Sequence, residues 1–443
     1  MHSKHRFPNM IFGSGLRLDG SAVAIMFLLL FLLFVLLFMM FTAQPAQAQS
    51  FKVIYTFTGA ADGKLPSAGL TMDAAGNFYG TTSEGGYTGA NCYYGCGGVF
   101  KLSHKGSGWV LTPLYNFRGG YDGATPGSRV ILGPDGSFYG TTTYGGFGAC
   151  FYQQGCGTVF RLRPPASACK TALCPWTETV LYRFTGAADG ACPGDLAFDR
   201  SGNLYGVTWS GGQFGNGAVF QLTPSQGGWT ESVLYSFAGG DDGQNPVGLI
   251  FDKGGNLYGS TGGSFAQPGT IYQLQPSATG WTENVLYHFD GYDGAGPNAP
   301  MFAPSGSLYS TTGAGGCCQG GTAFMLSPGN GGWTFNLLYN FIGNGGSGWG
   351  FGGPSASPIM DSAGNLYGPT RYQGAYQQGN IFMLTPSGGG WTHASLHDFT
   401  GGADGAQPFG SLIIGPNGNL YGTASGGGSC PPYVCGVVFE IAP

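Results

Sequence analysis

The chain has 443 residues, of which 87 are glycine and only 8% are charged, against 15% aromatic and 42% hydrophobic. Glycine-rich disorder goes with a lack of apolar residues, so this composition excludes it and puts the glycines in turns between short buried strands. Beyond residue 48, 13 Lys and Arg face 20 Asp and Glu with no basic block; this rules out the positive footprint of a nucleic-acid binder.

The first 48 residues form a separate system. Lys4, Arg6 and Arg17 precede an unbroken apolar run from Ala22 to Phe41, and Ala46-Gln47-Ala48 follows. A basic start, an apolar stretch and an A-x-A site describe an export signal. The run is also long enough to span a bilayer, so a retained anchor over 22–41 is the competing reading and the only membrane contact expected.

From residue 49 onward the chain repeats itself. Aligned on the tyrosine of G-N-L-Y-G and its variants, Tyr79, Tyr139, Tyr205, Tyr258, Tyr309, Tyr367 and Tyr421 recur at spacings of 60, 66, 53, 51, 58 and 54. Each unit holds four strand-like runs; in the fourth they read PVGLIFD, NLYGST, GTIYQLQP and WTENVLYHF. They are short, rich in β-branched and aromatic residues, and bounded by Gly, Pro or Asp. Between the first two runs sits D-x-x-G (Asp73, Asp199, Asp252, Asp361), a tight-turn signature that makes GNLYG a turn end plus the start of a strand. The tyrosine of this motif is expected to pack between repeats. A tryptophan stripe six residues before the strand-four Tyr or His (Trp109, Trp176, Trp229, Trp281, Trp333, Trp391) reads as packing rather than as a ligand cage.

Seven four-stranded units predict an all-β fold, a seven-bladed β-propeller of antiparallel blades over 49–443. The ends of the chain agree. FKVIYTF at 51–57 matches a fourth strand, while the chain stops after GVVFEIAP, a third strand. The first strand is therefore expected to pair into the last blade and close the ring, leaving no edge exposed; an open β-solenoid is the alternative and does not explain the stagger.

The unit can be written G-x-x-D-G-x-x-x-P, D-x-x-G-N-L-Y-G-T-T, G-x-V-F-x-L, G-W-T-E-x-V-L-Y-x-F. Over residues 51–443 it resembles the GloVer tandem repeat of bacterial "choice-of-anchor" exported proteins. The resemblance implies an exported repeat protein of no established biochemical activity, often held by a C-terminal anchoring segment. This chain departs from that pattern in reaching Pro443 directly after its last strand, so attachment is expected through the N-terminal run.

Between strand four of one unit and strand one of the next lie Asp62, Asp122, Asp189, Asp242, Asp293 and Asp404, each four residues before a Pro; Gly350 stands at the sixth connection. One reading is an acidic ring for Ca²⁺. The other is a repeated turn in which each carboxylate caps backbone N–H groups, and regularity across units favours it. The loop between strands two and three opens on the same face and varies most. It carries Tyr87, Tyr93, Tyr94, Tyr144, Phe147, Phe151, Tyr152, Trp209, Phe214, Tyr372, Tyr376 and Tyr433. Aromatics on variable loops suit sugar stacking or a protein partner, against packing on their own blade. Cysteines staple the same loops, Cys92 with Cys96, Cys150 with Cys156 and Cys430 with Cys435, while Cys169 with Cys174 closes a neighbouring excursion. Cys192, Cys317 and Cys318 are left over.

No catalytic residues are assigned, because no nucleophile elbow, phosphate loop or zinc-protease motif occurs. The expected function is a monomeric exported or cell-surface binding module for a glycan or protein, with no cofactor unless Ca²⁺. The rivals are a polysaccharide-acting enzyme with one blade-specific acid pair, and a purely structural surface protein.

Overall fold

The computed structural model describes residues 49–443 except 90–91, 107, 147, 151–153, 166–174, 263–266, 344–351 and 429–433. The export segment and the 22–41 run lie outside the described residues. Residues Gln49–Pro443 form one unit of seven antiparallel sheets, each with four strand positions, which in the first six run from the centre outward in chain order. In blades V and VII the innermost strand is broken in two.

The seventh blade joins the two ends of the chain. Its outermost strand, Ser50–Thr56, pairs antiparallel with Val437–Ala442, Phe51 opposite Ile441 and Val53 opposite Phe439. The register slips between Val53 and Tyr55. The same slip recurs between strands three and four of every other blade, at Val99/Phe100, Val159/Phe160, Val219/Phe220, Ile271/Tyr272, Ala323/Phe324 and Ile381/Phe382. Such a bulge bends the outer strand and adds twist. The N-terminal strand reproduces it, so the closing blade has the shape of its neighbours.

Each seam between blades is an aromatic joint. The Phe that ends strand four packs edge-on against the strand-three aromatic of the next blade, from Phe57–Phe100 at 5.2 Å through Phe117–Phe160 and Phe184–Phe220 to Phe399–Phe439 at 5.3 Å. Trp229, Trp281, Trp333 and Trp391 lie edge-on to Tyr139, Tyr205, Tyr258 and Tyr309 of the preceding blade. Those tryptophans are packing residues, and the recurrent tyrosine sits between repeats as its periodicity predicts.

The repeated motif now resolves atom by atom. In blade III, Asp199 Oδ1 accepts from the Ser201 and Asn203 backbone N–H groups, and its Oδ2 accepts from Asn203 Nδ2 and the Tyr205 hydroxyl. Leu204 fills the core. Gly206 leaves room for Phe220, whose ring would lie 2.5 Å from an added Cβ. The following threonines tie the sheet both ways. Thr141 donates to the Gly194 carbonyl of the next blade at 3.0 Å, and Thr142 bonds Thr158 on its own third strand at 2.8 Å. Thr81 and Thr423 repeat the cross-blade bond to Ser128 and Ala68.

Candidate binding face and central channel

The strand-four-to-one connections and the strand-two-to-three loops hydrogen-bond to each other and build one face. The Lys64 N–H donates to the Glu84 carbonyl at 2.8 Å, and the Ala124 N–H to the Tyr144 carbonyl at 2.9 Å. Within each connection the aspartate organises the turn. Asp62 accepts from the Thr58 N–H at 2.8 Å, the Thr58 hydroxyl at 2.5 Å and the Tyr55 hydroxyl at 3.0 Å. Asp122, Asp189, Asp242 and Asp293 likewise accept from the Tyr115, Tyr182, Tyr235 and Tyr287 hydroxyls and from a nearby backbone N–H. At Asp404 the donors are the Thr400 N–H and hydroxyl, and His397 Nε2 stands at 3.1 Å in the place of the tyrosine. The sixth connection, with Gly350, lies outside the described residues. Among the described residues no three His, Cys, Asp or Glu side chains are grouped to hold a metal ion.

A backbone feature accompanies these turns. The residue before the recurrent Pro has positive φ: Leu65, Thr125, Cys192, Asn245 and Gln407 at 52–55°, and Gly296 at 63°. Its N–H donates to a carbonyl of the preceding blade's loop, as Thr125 does to Cys96 at 2.8 Å and Cys192 to Cys156 at 2.9 Å. Cys192 is thus a buried turn residue, and desolvation pushes its thiol up to about 12.

Disulfides Cys92–Cys96 and Cys150–Cys156 close the first two loops. Cys435 is also disulfide-bonded; Cys430, Cys169 and Cys174 lie outside the described residues, as do Phe147, Phe151, Tyr152 and Tyr433. Tyr93 stands 85% exposed, with Tyr94 edge-on at 5.0 Å. Lys64 covers the Tyr94 ring at 5.3 Å and pairs with Glu84 at 3.1 Å. Tyr93 and Tyr94 border a cleft of about 630 Å³ whose other wall holds Tyr144 and Gln154 of the next blade. Trp209 and Tyr376 are exposed on blades III and VI, away from this cleft. The turn tyrosines Tyr121 and Tyr292, 67% and 85% exposed, escaped the sequence reading; their position directly before the turn aspartate was the available signal.

A family model described as the Gloeobacter/Verrucomicrobia repeat matches residues 39–266, 152–349 and 260–443. The chain belongs to this repeat family. No curated protein matches the chain by sequence. Among solved structures, a fungal alcohol oxidase of the AA5 family in complex with copper is similar, at 14% identity, TM-score 0.54, 90% of this chain and 77% of that one. The extracellular domain of BT4673 from B. thetaiotaomicron, described as a one-component system, aligns at 12% identity and TM-score 0.51. That match covers 89% of this chain and 42% of BT4673. Both likenesses are of fold.

Against the uniformity of the Gloeobacter/Verrucomicrobia repeat, one feature of the ring centre is asymmetric. The innermost strands surround a channel of about 210 Å³ walled by Gly, Ala and Ser, with Val247, Asn298 and Phe409. Its charged lining residues are Arg129 and Asp195 from adjacent blades, with Arg129 Nε 3.7 Å from an Asp195 oxygen. The ring walls in the Asp195 carboxyl, and this desolvation pushes its pKa up, while Arg129 pulls it down. The side chain nevertheless keeps 46% of its surface open to the channel. The sequence shows two ordinary charges 66 positions apart, and only the closed ring brings them together.

Proposed function

We propose that the protein is an exported, surface-facing propeller that binds carbohydrate on its loop face, in the cleft between the first two blades. The observation that carries this reading is the Tyr93–Tyr94 pair, raised on a disulfide-braced loop opposite Tyr144. A sugar ring presents apolar C–H faces that stack on tyrosine, and hydroxyl edges that seek polar partners. Lys64 already occupies one side of the Tyr94 ring, so Tyr93 is the open platform. Gln154, Glu84 and the backbone of the glycine-rich walls supply the hydrogen-bonding edge. Bracing by Cys92–Cys96 and Cys150–Cys156 lowers the ordering cost of binding, and disulfides suit an oxidising, extracytoplasmic compartment.

A glycan array on the purified protein, followed by calorimetric titration of any hit, tests the reading. Tyr93→Ala should lower affinity by at least tenfold with the melting temperature unchanged, because the side chain is solvent-facing. An array with no saturable signal, or a hit that Tyr93→Ala leaves intact, overturns it.

A further inference from the structure

We propose that Cys317 and Cys318 form a thiol–disulfide exchange site on the loop face of blade V, which a disulfide-bearing partner oxidises to a Cys317–Cys318 ring. The two cysteines sit between the strands Leu308–Ala314 and Gln319–Gly329. This is the loop that carries a closed disulfide in blades I and II. Here the thiols are free, adjacent in sequence, and both exposed. Their sulfurs face each other at 2.7 Å, and the contact with Cys318 pushes the Cys317 thiol up from its ordinary value. The backbone holds them in this arrangement. The Cys317 N–H donates to Asn340 Oδ1 at 3.2 Å, and the Cys318 carbonyl accepts from the Gly343 N–H at 2.9 Å. Gly315, Gly316 and Gln319 take positive φ around the pair. No rearrangement of the blade is needed for a partner to reach either sulfur.

The exchange proceeds in two displacements. One thiolate of the pair attacks a sulfur of the incoming disulfide, whose S–S bond breaks; one thiol leaves after taking a proton, and a mixed disulfide remains. The second cysteine, as thiolate, attacks the protein sulfur of that mixed disulfide, forms the Cys317–Cys318 bond and expels the second thiol. Together the pair gives up two electrons and two protons, and the incoming disulfide becomes two thiols. Cys192 does not compete, because it is buried and its thiol is held protonated by desolvation. This inference is independent of the carbohydrate reading.

The test treats the purified full chain, mildly reduced, with oxidised glutathione, then alkylates and maps peptides by mass. The expected result is a peptide holding both cysteines that has lost two hydrogens and takes up no alkylating agent. Cys317→Ser and Cys318→Ser should each stop at the first displacement, holding one glutathione that a reductant releases. A wild-type peptide alkylated at both sulfurs, or carrying two glutathiones, overturns the proposal.

Discussion

Phe51 lies flat on the imidazole of His397, with ring centroids 3.6 Å apart and planes 7° from parallel. The pair joins the chain's first strand, in blade VII, to the outer strand of blade VI. Phe51 also meets Phe399 and Phe439, so it is the aromatic core of the closing seam. Truncating a half-buried ring and losing its stacking should cost about 2 kcal/mol. Urea unfolding of Phe51→Ala against wild type measures it, and an unchanged midpoint would mean that closure does not rest on this residue.

At the position Phe51 holds, blades II, III and IV carry Glu178, Glu231 and Glu283. Each faces the turn aspartate of the seam before it, Asp122, Asp189 or Asp242, and desolvation, then that charge, pushes each glutamate up to about 7 from 4.5. A carboxyl whose folded pKa is raised binds its proton more tightly in the native state. Its contribution is therefore present below pH 4.5 and lost as pH rises to about 7. Glu231→Gln should match wild type below pH 4.5, gain on it as pH rises, and be the more stable above pH 7. His393 and His397, which desolvation shifts downward, slope the opposite way, so the difference between variant and parent melting temperatures is the diagnostic. A difference that does not grow with pH sinks the assignment.

The fold was legible because repetition reports contacts between blades as well as within them. Tyr205 recurs since every seam needs the same ring, and Asp199 recurs since every hairpin needs the same cap. The strand-four character of residues 51–57 was enough to place the closure. The glutamates were visible in W-T-E, but their partners belong to the preceding unit, and nothing in the spacing says which face of a strand meets it. Arg129 and Asp195 were hidden for a related reason: the channel is a property of the closed ring. Tyr93 and Tyr94 were recognisable as loop aromatics, whereas the cleft they share with Tyr144 depends on how two neighbouring loops meet.

Two glycines of one motif should respond differently to alanine. Gly202 has φ of 85° with open space around it, so Gly202→Ala costs only the left-handed conformation, about 1 kcal/mol. At Gly206 an added Cβ would meet the Phe220 ring at 2.5 Å, and overpacking a fully buried ring costs about 1–3 kcal/mol. Blade V has Ser310 at this position, and there Phe324 lies against Phe335 at 5.5 Å, an aromatic neighbour that blade III replaces with Glu231. Denaturant midpoints should therefore rank wild type, Gly202→Ala, Gly206→Ala; the reverse order of the two variants would refute the close-contact argument.

Thr125 is a β-branched residue at φ 55°, where its Cβ is crowded. The corresponding residue in blade V is Gly296, at φ 63°, so the turn itself accepts glycine. Thr125→Gly keeps the N–H that donates to Cys96. Relief of strain, set against the greater freedom of glycine in the unfolded chain, should leave a gain of about 1 kcal/mol. Calorimetry reads this directly, and a lower melting temperature would show that the threonine side chain holds the turn.

Asp189 decides between the two meanings of the aspartate ring. Its Oδ1 accepts from the Thr185 hydroxyl at 2.6 Å, and its Oδ2 from the Thr185 N–H at 2.8 Å and the Tyr182 hydroxyl at 3.1 Å. A cation would have to compete with these donors for the same lone pairs. Asp189→Ala should therefore cost about 1–2 kcal/mol, the worth of a cap and its charged hydrogen bonds, and the loss should be the same in chelator and in millimolar Ca²⁺. It should also lower the pKa of Glu231, which loses a facing negative charge, and so flatten the pH dependence that Glu231→Gln abolishes. Measuring the two variants and their double mutant across pH separates the turn's contribution from the carboxyl pair's. If Ca²⁺ stabilises wild type and Asp189→Ala removes that gain, the carboxylates are cation ligands and the turn is only their scaffold.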